Sequence, residues 1–147
     1  MRDFYFLQND INKSTIENLK ILLSATPQKL VVCRLDRKSE ISDWLNKVLK
    51  DGDFFSLTRT NEELSLVCVE EKIPAGAVAE KGWRALKVKG PLDFSMTGIL
   101  VSISGLLAEN RISIFVVSTY ETDYILVKEE FLDKAVKILG DRFNFEN

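Results

Sequence analysis

Residues 112–130 read ISIFVVSTYETDYILVKEE, and residues 54–71 read FFSLTRTNEELSLVCVEE. In each, two apolar runs rich in β-branched and aromatic residues flank a short polar break, which is how a β-hairpin is written. The two stretches align at one constant offset, the 59 residues between Glu71 and Glu130. Thr60 then falls on Thr119, Leu66 on Ile125, Val67 on Leu126, and Glu70-Glu71 on Glu129-Glu130. A turn residue, a strand and an acidic pair that stay in step indicate an internal duplication.

Upstream of each hairpin the same two elements recur. Residues 29–36 (KLVVCRLD) and residues 83–90 (WRALKVKG) read as strands. After the first, Ile41, Trp44, Leu45, Val48 and Leu49 recur at helical spacing. Ser39 is the expected cap of that helix, with Glu40 and Asp43 at its positive end. After the second, Ile99, Leu100, Ile103, Leu106 and Leu107 form one stripe. Gly98, Ser102, Gly105 and Ala108 are expected to keep that helix slim against a sheet, and Asn110 to end it in a left-handed conformation. Downstream the copies diverge. Phe131, Leu132, Ala135, Val136 and Leu139 make a clear helical stripe closed by Gly140, whereas residues 73–82 (IPAGAVAEKG) hold at most a vestigial helix.

The repeating unit is therefore β-α-β-β followed by a helix, a ferredoxin-like pattern. The expected fold class is α+β, with two such units in tandem and helices on one face of antiparallel sheets. A unit of about 60 residues buries too little surface to stand comfortably alone, so the copies are expected to share a core or a sheet. The N-terminal stretch fits a helix of Ile16, Leu19, Leu22 and Leu23 capped by Ser14, or a strand with Leu19, Ile21 and Leu23. The strand is preferred, because ATPQ (residues 25–28) then turns into the next strand. That strand can fill the fourth place left open by the short C-terminal DRFNFEN. The expected organisation is an N-terminal extension over 1–28, a degenerate first unit over 29–80 and a second unit over 81–147.

Composition narrows the function. The chain has 147 residues, 46% hydrophobic and 29% charged, a globular balance and not a disordered one. The formal net charge is −2, which argues against nucleic acid, whose phosphates need a basic face. No apolar run approaches the roughly 20 residues that span a bilayer, and MRDFYFLQND lacks the core of a signal peptide, so a cytoplasmic home is expected. There is no histidine, which removes the commonest general base and zinc ligand. No nucleophile elbow, phosphate loop or dinucleotide fingerprint is present, so neither enzyme activity nor any cofactor or metal is expected. Cys33 and Cys68 lie inside apolar runs and read as core residues.

Residues 86–127 (LKVKGPLDFSMTGILVSISGLLAENRISIFVVSTYETDYILV) resemble an ACT domain, a βαββαβ regulatory module that binds amino acids. With FFSLTRTNEELSLV in the first half, the chain is similar to the bacterial tandem-ACT proteins. That family is itself similar to the halves of the animal cytosolic arginine sensor. The resemblance covers residues from about Leu19 to Leu139 and implies a ligand groove at the interface between paired units. Its walls would be the loop of Leu92, Asp93, Phe94, Ser95, Met96 and Thr97, the strand start at Ser113 and Ile114, and the knot of Thr119, Tyr120 and Asp123.

Elementary chemistry agrees. A helix start near Thr97 offers N–H groups to a carboxylate, and Asp123 offers charge to an ammonium. Blander roles remain open: Asp93 as a helix cap, Thr119 and Thr122 as turn residues, Tyr120 as packing, Ser113 on a wet sheet face. Met96 stands where the arginine-binding unit of that sensor carries an acid, which implies a less cationic ligand or none. The expected partners are a free amino acid or similar small molecule and a second copy of the chain. The competing reading is an interaction module with a degenerate groove.

Overall fold

The computed structural model describes residues 21–89 and 98–146. The chain divides into two units, Pro27–Ala85 and Met1–Thr26 with Leu86–Asn147.

The first unit contains strand β2 (Leu30–Leu35), helix α1 (Ser42–Asp51), strands β3 (Ser56–Arg59) and β4 (Leu64–Val69), and the opening part of the long strand β5 (Val78–Val88). The order is β3-β4-β2-β5, antiparallel throughout. Val31, Cys33 and Leu35 of β2 and Leu64, Leu66 and Cys68 of β4 share one buried face, against which Ile41, Trp44 and Phe55 pack. Period-2 alternation places these side chains on the same side of the pleat. Trp44 donates its indole N–H to the Lys72 carbonyl at 2.6 Å, and Lys72 pairs with Asp51 at 2.6 Å and with Asp53. The hydrogen bond that Lys72 donates to Asp51, and then the one it donates to Asp53, raises its ammonium above the ordinary value.

The helix cap differs from expectation. Helix α1 starts at Ser42, its cap position is Ile41, and no side chain caps it. Ser39 sits in the preceding turn, where its N–H is bound by the Asp36 carbonyl at 2.9 Å. Residues 73–82 also differ: they hold no helix, and from Val78 onward they are strand. The single helical turn lies earlier, at Glu70–Lys72. Gly82 takes φ 77 beside a register shift in the β2–β5 ladder, and its N–H reaches Glu70 Oε1 at 2.9 Å. A bulge needs a residue that tolerates positive φ, and glycine does.

The second unit contains β1 (Leu22–Ala25), the end of β5, α2 (Ile99–Glu109), β6 (Ile114–Ser118), β7 (Asp123–Lys128), α3 (Leu132–Gly140) and β8 (Asn144–Phe145). Strand β1 runs antiparallel to β5, with Leu23 opposite Val88, and parallel to β8. The sheet is thus mixed and not purely antiparallel, because the C-terminal strand adds outside β1. Ile99, Ile103 and Leu107 of α2 and Ala135 and Leu139 of α3 pack with Leu23, Leu86, Val88, Ile125 and Val127 of the strands. Each of the Val, Leu and Ile side chains among them contributes about 1.5–3 kcal/mol of burial.

Two details of α2 depart from the reading of its sequence. Asn110 has φ −96, and the left-handed residue is the next one, Arg111 at φ 58. Asn110 uses its side-chain amide to bind the Leu106 carbonyl at 2.9 Å, and the left-handed Arg111 completes the stop, its N–H donating to the Ala108 carbonyl and that of Ile112 to the Leu107 carbonyl, both at 2.9 Å. Gly105 is not required by close packing, since a Cβ there meets nothing within 4 Å.

The duplication keeps its register through the second strand of each hairpin and the helical turn that follows. Strand β4 and β7 begin and end 59 residues apart, as do the helical turns Glu70–Lys72 and Glu129–Phe131.

Candidate functional site

The polar knot closes the β6–β7 hairpin. The last ladder pair is Ser118 opposite Asp123, and Ser118 Oγ donates to Asp123 Oδ1 at 2.5 Å. Thr119 N–H binds the Thr122 carbonyl at 2.8 Å, and Thr119 Oγ1 accepts the Thr122 N–H at 3.2 Å. One threonine therefore supplies the side-chain half of the turn. The first hairpin is built alike: Thr60 N–H binds the Glu63 carbonyl at 2.9 Å, and Thr60 Oγ1 accepts from Glu62 and Glu63, both at 3.1 Å. Tyr120, at the tip of the second hairpin, is 80% exposed.

Thr122, which the sequence offers as a turn residue, does more than close the turn. It is the one buried polar side chain among the described residues, and its hydroxyl donates to the Val88 carbonyl. Val88 ends β5, two residues before residues 90–97 begin. The bond fastens the knot to the last residue of β5. No sequence signal announced it, because the acceptor is a main-chain carbonyl 34 residues away.

Asp93, Phe94, Ser95, Met96 and Thr97 lie outside the described residues. Thr119, Tyr120 and Asp123 come together at the hairpin end, with Ser118 and Thr122. Ser113 and Ile114 do not join them. Ser113 is exposed just before β6, Ile114 opens that strand opposite Val127, and the knot follows its far end. At about 3.3 Å per residue, Ser113 and Thr119 are roughly 20 Å apart.

The two cysteines are buried free thiols on neighbouring strands. Burial pushes both thiols up, Cys68 to about 12, so neither is a thiolate nucleophile near neutral pH. No helix among the described residues is long and apolar enough to cross a membrane.

A family model of the ACT domain matches residues 78–141, and a model of an N-terminal domain matches residues 28–76. Protein Atu0741 of Agrobacterium tumefaciens is 34% identical in sequence, with a TM-score of 0.75 over 87% of this chain and 95% of that one. The chain belongs to the ACT-domain family. Its ACT-type units are also related to the bovine protein named cytosolic arginine sensor for mTORC1 subunit 1, at 36% identity over 102 residues. That match takes in 62% of this chain and 31% of the sensor, so the chain spans about a third of that relative's length. The regulatory subunit of aspartate kinase from Thermus thermophilus shares the fold alone, at TM-score 0.62 and 7% identity.

Proposed function

We propose that this ACT protein is a non-catalytic regulator that binds a free amino acid, or a similar small molecule, at the knot of its second unit. The residues in contact would be Asp93, Phe94, Ser95, Met96 and Thr97 of the loop together with Thr119, Tyr120 and Asp123. The observation that carries this reading is the bond from the Thr122 hydroxyl to the Val88 carbonyl, which ties the knot to the end of the strand that precedes residues 90–97 in sequence. Asp123 Oδ1 takes the Ser118 hydroxyl, and the second carboxylate oxygen has no partner among the described residues. That oxygen is the acceptor for a ligand ammonium.

Ser113 and Ile114 belong to the same groove only when a second copy of the chain supplies them, since one amino acid does not reach across roughly 20 Å. The reading therefore includes a homodimer with two-fold pairing, the commonest closed arrangement. A cytoplasmic setting follows the printed name of the sensor relative.

The test is a melting screen against the twenty amino acids. A ligand at a hundred times its Kd adds about 2.7 kcal/mol to the native state and raises Tm by several degrees. Asp123→Asn keeps the shape and should weaken that ligand by roughly 1.5–3 kcal/mol in calorimetry. The alternative is an interaction module with an empty groove. What favours it is the Ser118–Asp123 bond, which gives the acid a purely structural task. A flat screen across all twenty, with the dimer intact by light scattering, would select that alternative.

A further inference from the structure

We propose that the first unit carries a second, separate site, which binds a small doubly charged anion: a phosphate monoester or a dicarboxylate. An open depression of about 520 Å³ is lined by Arg37, Lys38, Arg59, Thr60 and Asn61. The sheet register brings these residues together. Leu64 stands opposite Leu35 on one side and opposite Arg59 on the other, so the turn after β2 and the tip of the β3–β4 hairpin share one end of the sheet. Arg59 Nη2 donates to the Ser39 carbonyl at 3.1 Å and holds hairpin and turn together.

The three cations have no carboxylate partner among the described residues. Of the acids close by in the chain, Asp36 is engaged in the turn, where its Oδ1 accepts the Lys38 N–H at 2.8 Å, and Glu40, Glu62 and Glu63 do not line the depression. Three positive side chains gathered in this way repel one another, and an anion relieves that repulsion. Guanidinium forks match the paired oxygens of a carboxylate or phosphate, and the Asn61 amide adds neutral donors. Size and surroundings favour a compact ligand over a polymer. The volume suits a small metabolite, and the net charge of −2 repels an extended polyanion.

The experiment titrates the 15N-labelled full chain with inorganic phosphate and, separately, with succinate, each against sodium chloride at equal ionic strength. Saturable shifts in the amides of residues 36–41 and 59–63 are expected with phosphate, with succinate or with both. Saturation by phosphate alone identifies a phosphate site, and by succinate alone a dicarboxylate site. Arg37→Gln, which disturbs no side-chain hydrogen bond among the described residues, should raise the midpoint about tenfold or more. Arg59→Gln should do the same and also loosen the tie to Ser39. Shifts that chloride reproduces, or an unchanged midpoint in Arg37→Gln, would overturn the proposal. The signals come from the first unit, so the outcome is independent of any amino acid bound by the second.

Discussion

The two hairpins share a frame and differ in what they hold. Thr60 and Thr119 make the same turn, and the strands that leave it cover the same span. The positions around that threonine have separated chemically. Arg59 reaches out to a carbonyl of the neighbouring turn, while its counterpart Ser118 folds back onto Asp123. Leu64 is fully buried in the first core, while its counterpart Asp123 is half-buried and hydrogen-bonded. Glu63 ends a turn at the surface, while Thr122 is buried against Val88. A duplicated frame can keep its geometry with backbone and threonine alone, which leaves the flanking side chains to become cationic in one copy and hydroxyl and acid in the other.

The sharpest way to break this comparison is to exchange the core position. Leu64→Asp should cost upwards of about 4 kcal/mol, because it buries an acid among Val31, Leu35 and Leu66 with nothing to pair with it. Asp123→Leu should cost under about 1 kcal/mol, since the site is only half-buried. Urea denaturation of the two variants reads the difference, and equal losses would show that the two positions are not distinguished by burial.

A second exchange concerns Thr122. Thr122→Val keeps the volume and removes the hydroxyl, which leaves the Val88 carbonyl without its donor. The expected loss is about 1–2 kcal/mol, with faster amide exchange around Val88 and Lys89. Glu63→Gln at the matching position should change stability by no more than about 0.5 kcal/mol. Restoration by Thr122→Ser would assign the effect to the hydroxyl and not to the methyl.

The smallest effect is one of pH. Cys68 is replaced by Val127 in the second unit. Burial raises the Cys68 thiol to about 12, so the folded state keeps its proton where an unfolded thiol, near pH 9, has lost it. The native state then binds more protons than the unfolded one, and stability falls as pH rises. The contribution is intact below about pH 9 and is lost progressively towards pH 12. Hydrogen exchange should show the first unit loosening over that window more than the second, and Cys68→Val should remove most of the difference.

The sequence by itself determined the repeat and its elements. Thr60 over Thr119 and the two Glu pairs mark the hairpins residue by residue, because a turn and a period-2 pattern are local properties of the chain. The stripes of α2 and α3 were equally legible, as was the burial of the cysteines. The start of α1 was not: Ser39 has the chemistry of a cap, but the Asp36 turn claims its N–H and Arg59 its carbonyl. Nor was the extent of β5. Residues 78–82 carry little apolar pattern, and what holds them extended is the ladder to β2 and the Gly82 bulge. Of the candidate sites, the knot was visible as a polar break between strands. The task of Thr122, the distance of Ser113 from Thr119, and the gathering of Arg37, Lys38 and Arg59 were decided only by tertiary structure. Each depends on which strands lie side by side, and residues far apart in the chain carry no mark of the neighbours that folding gives them.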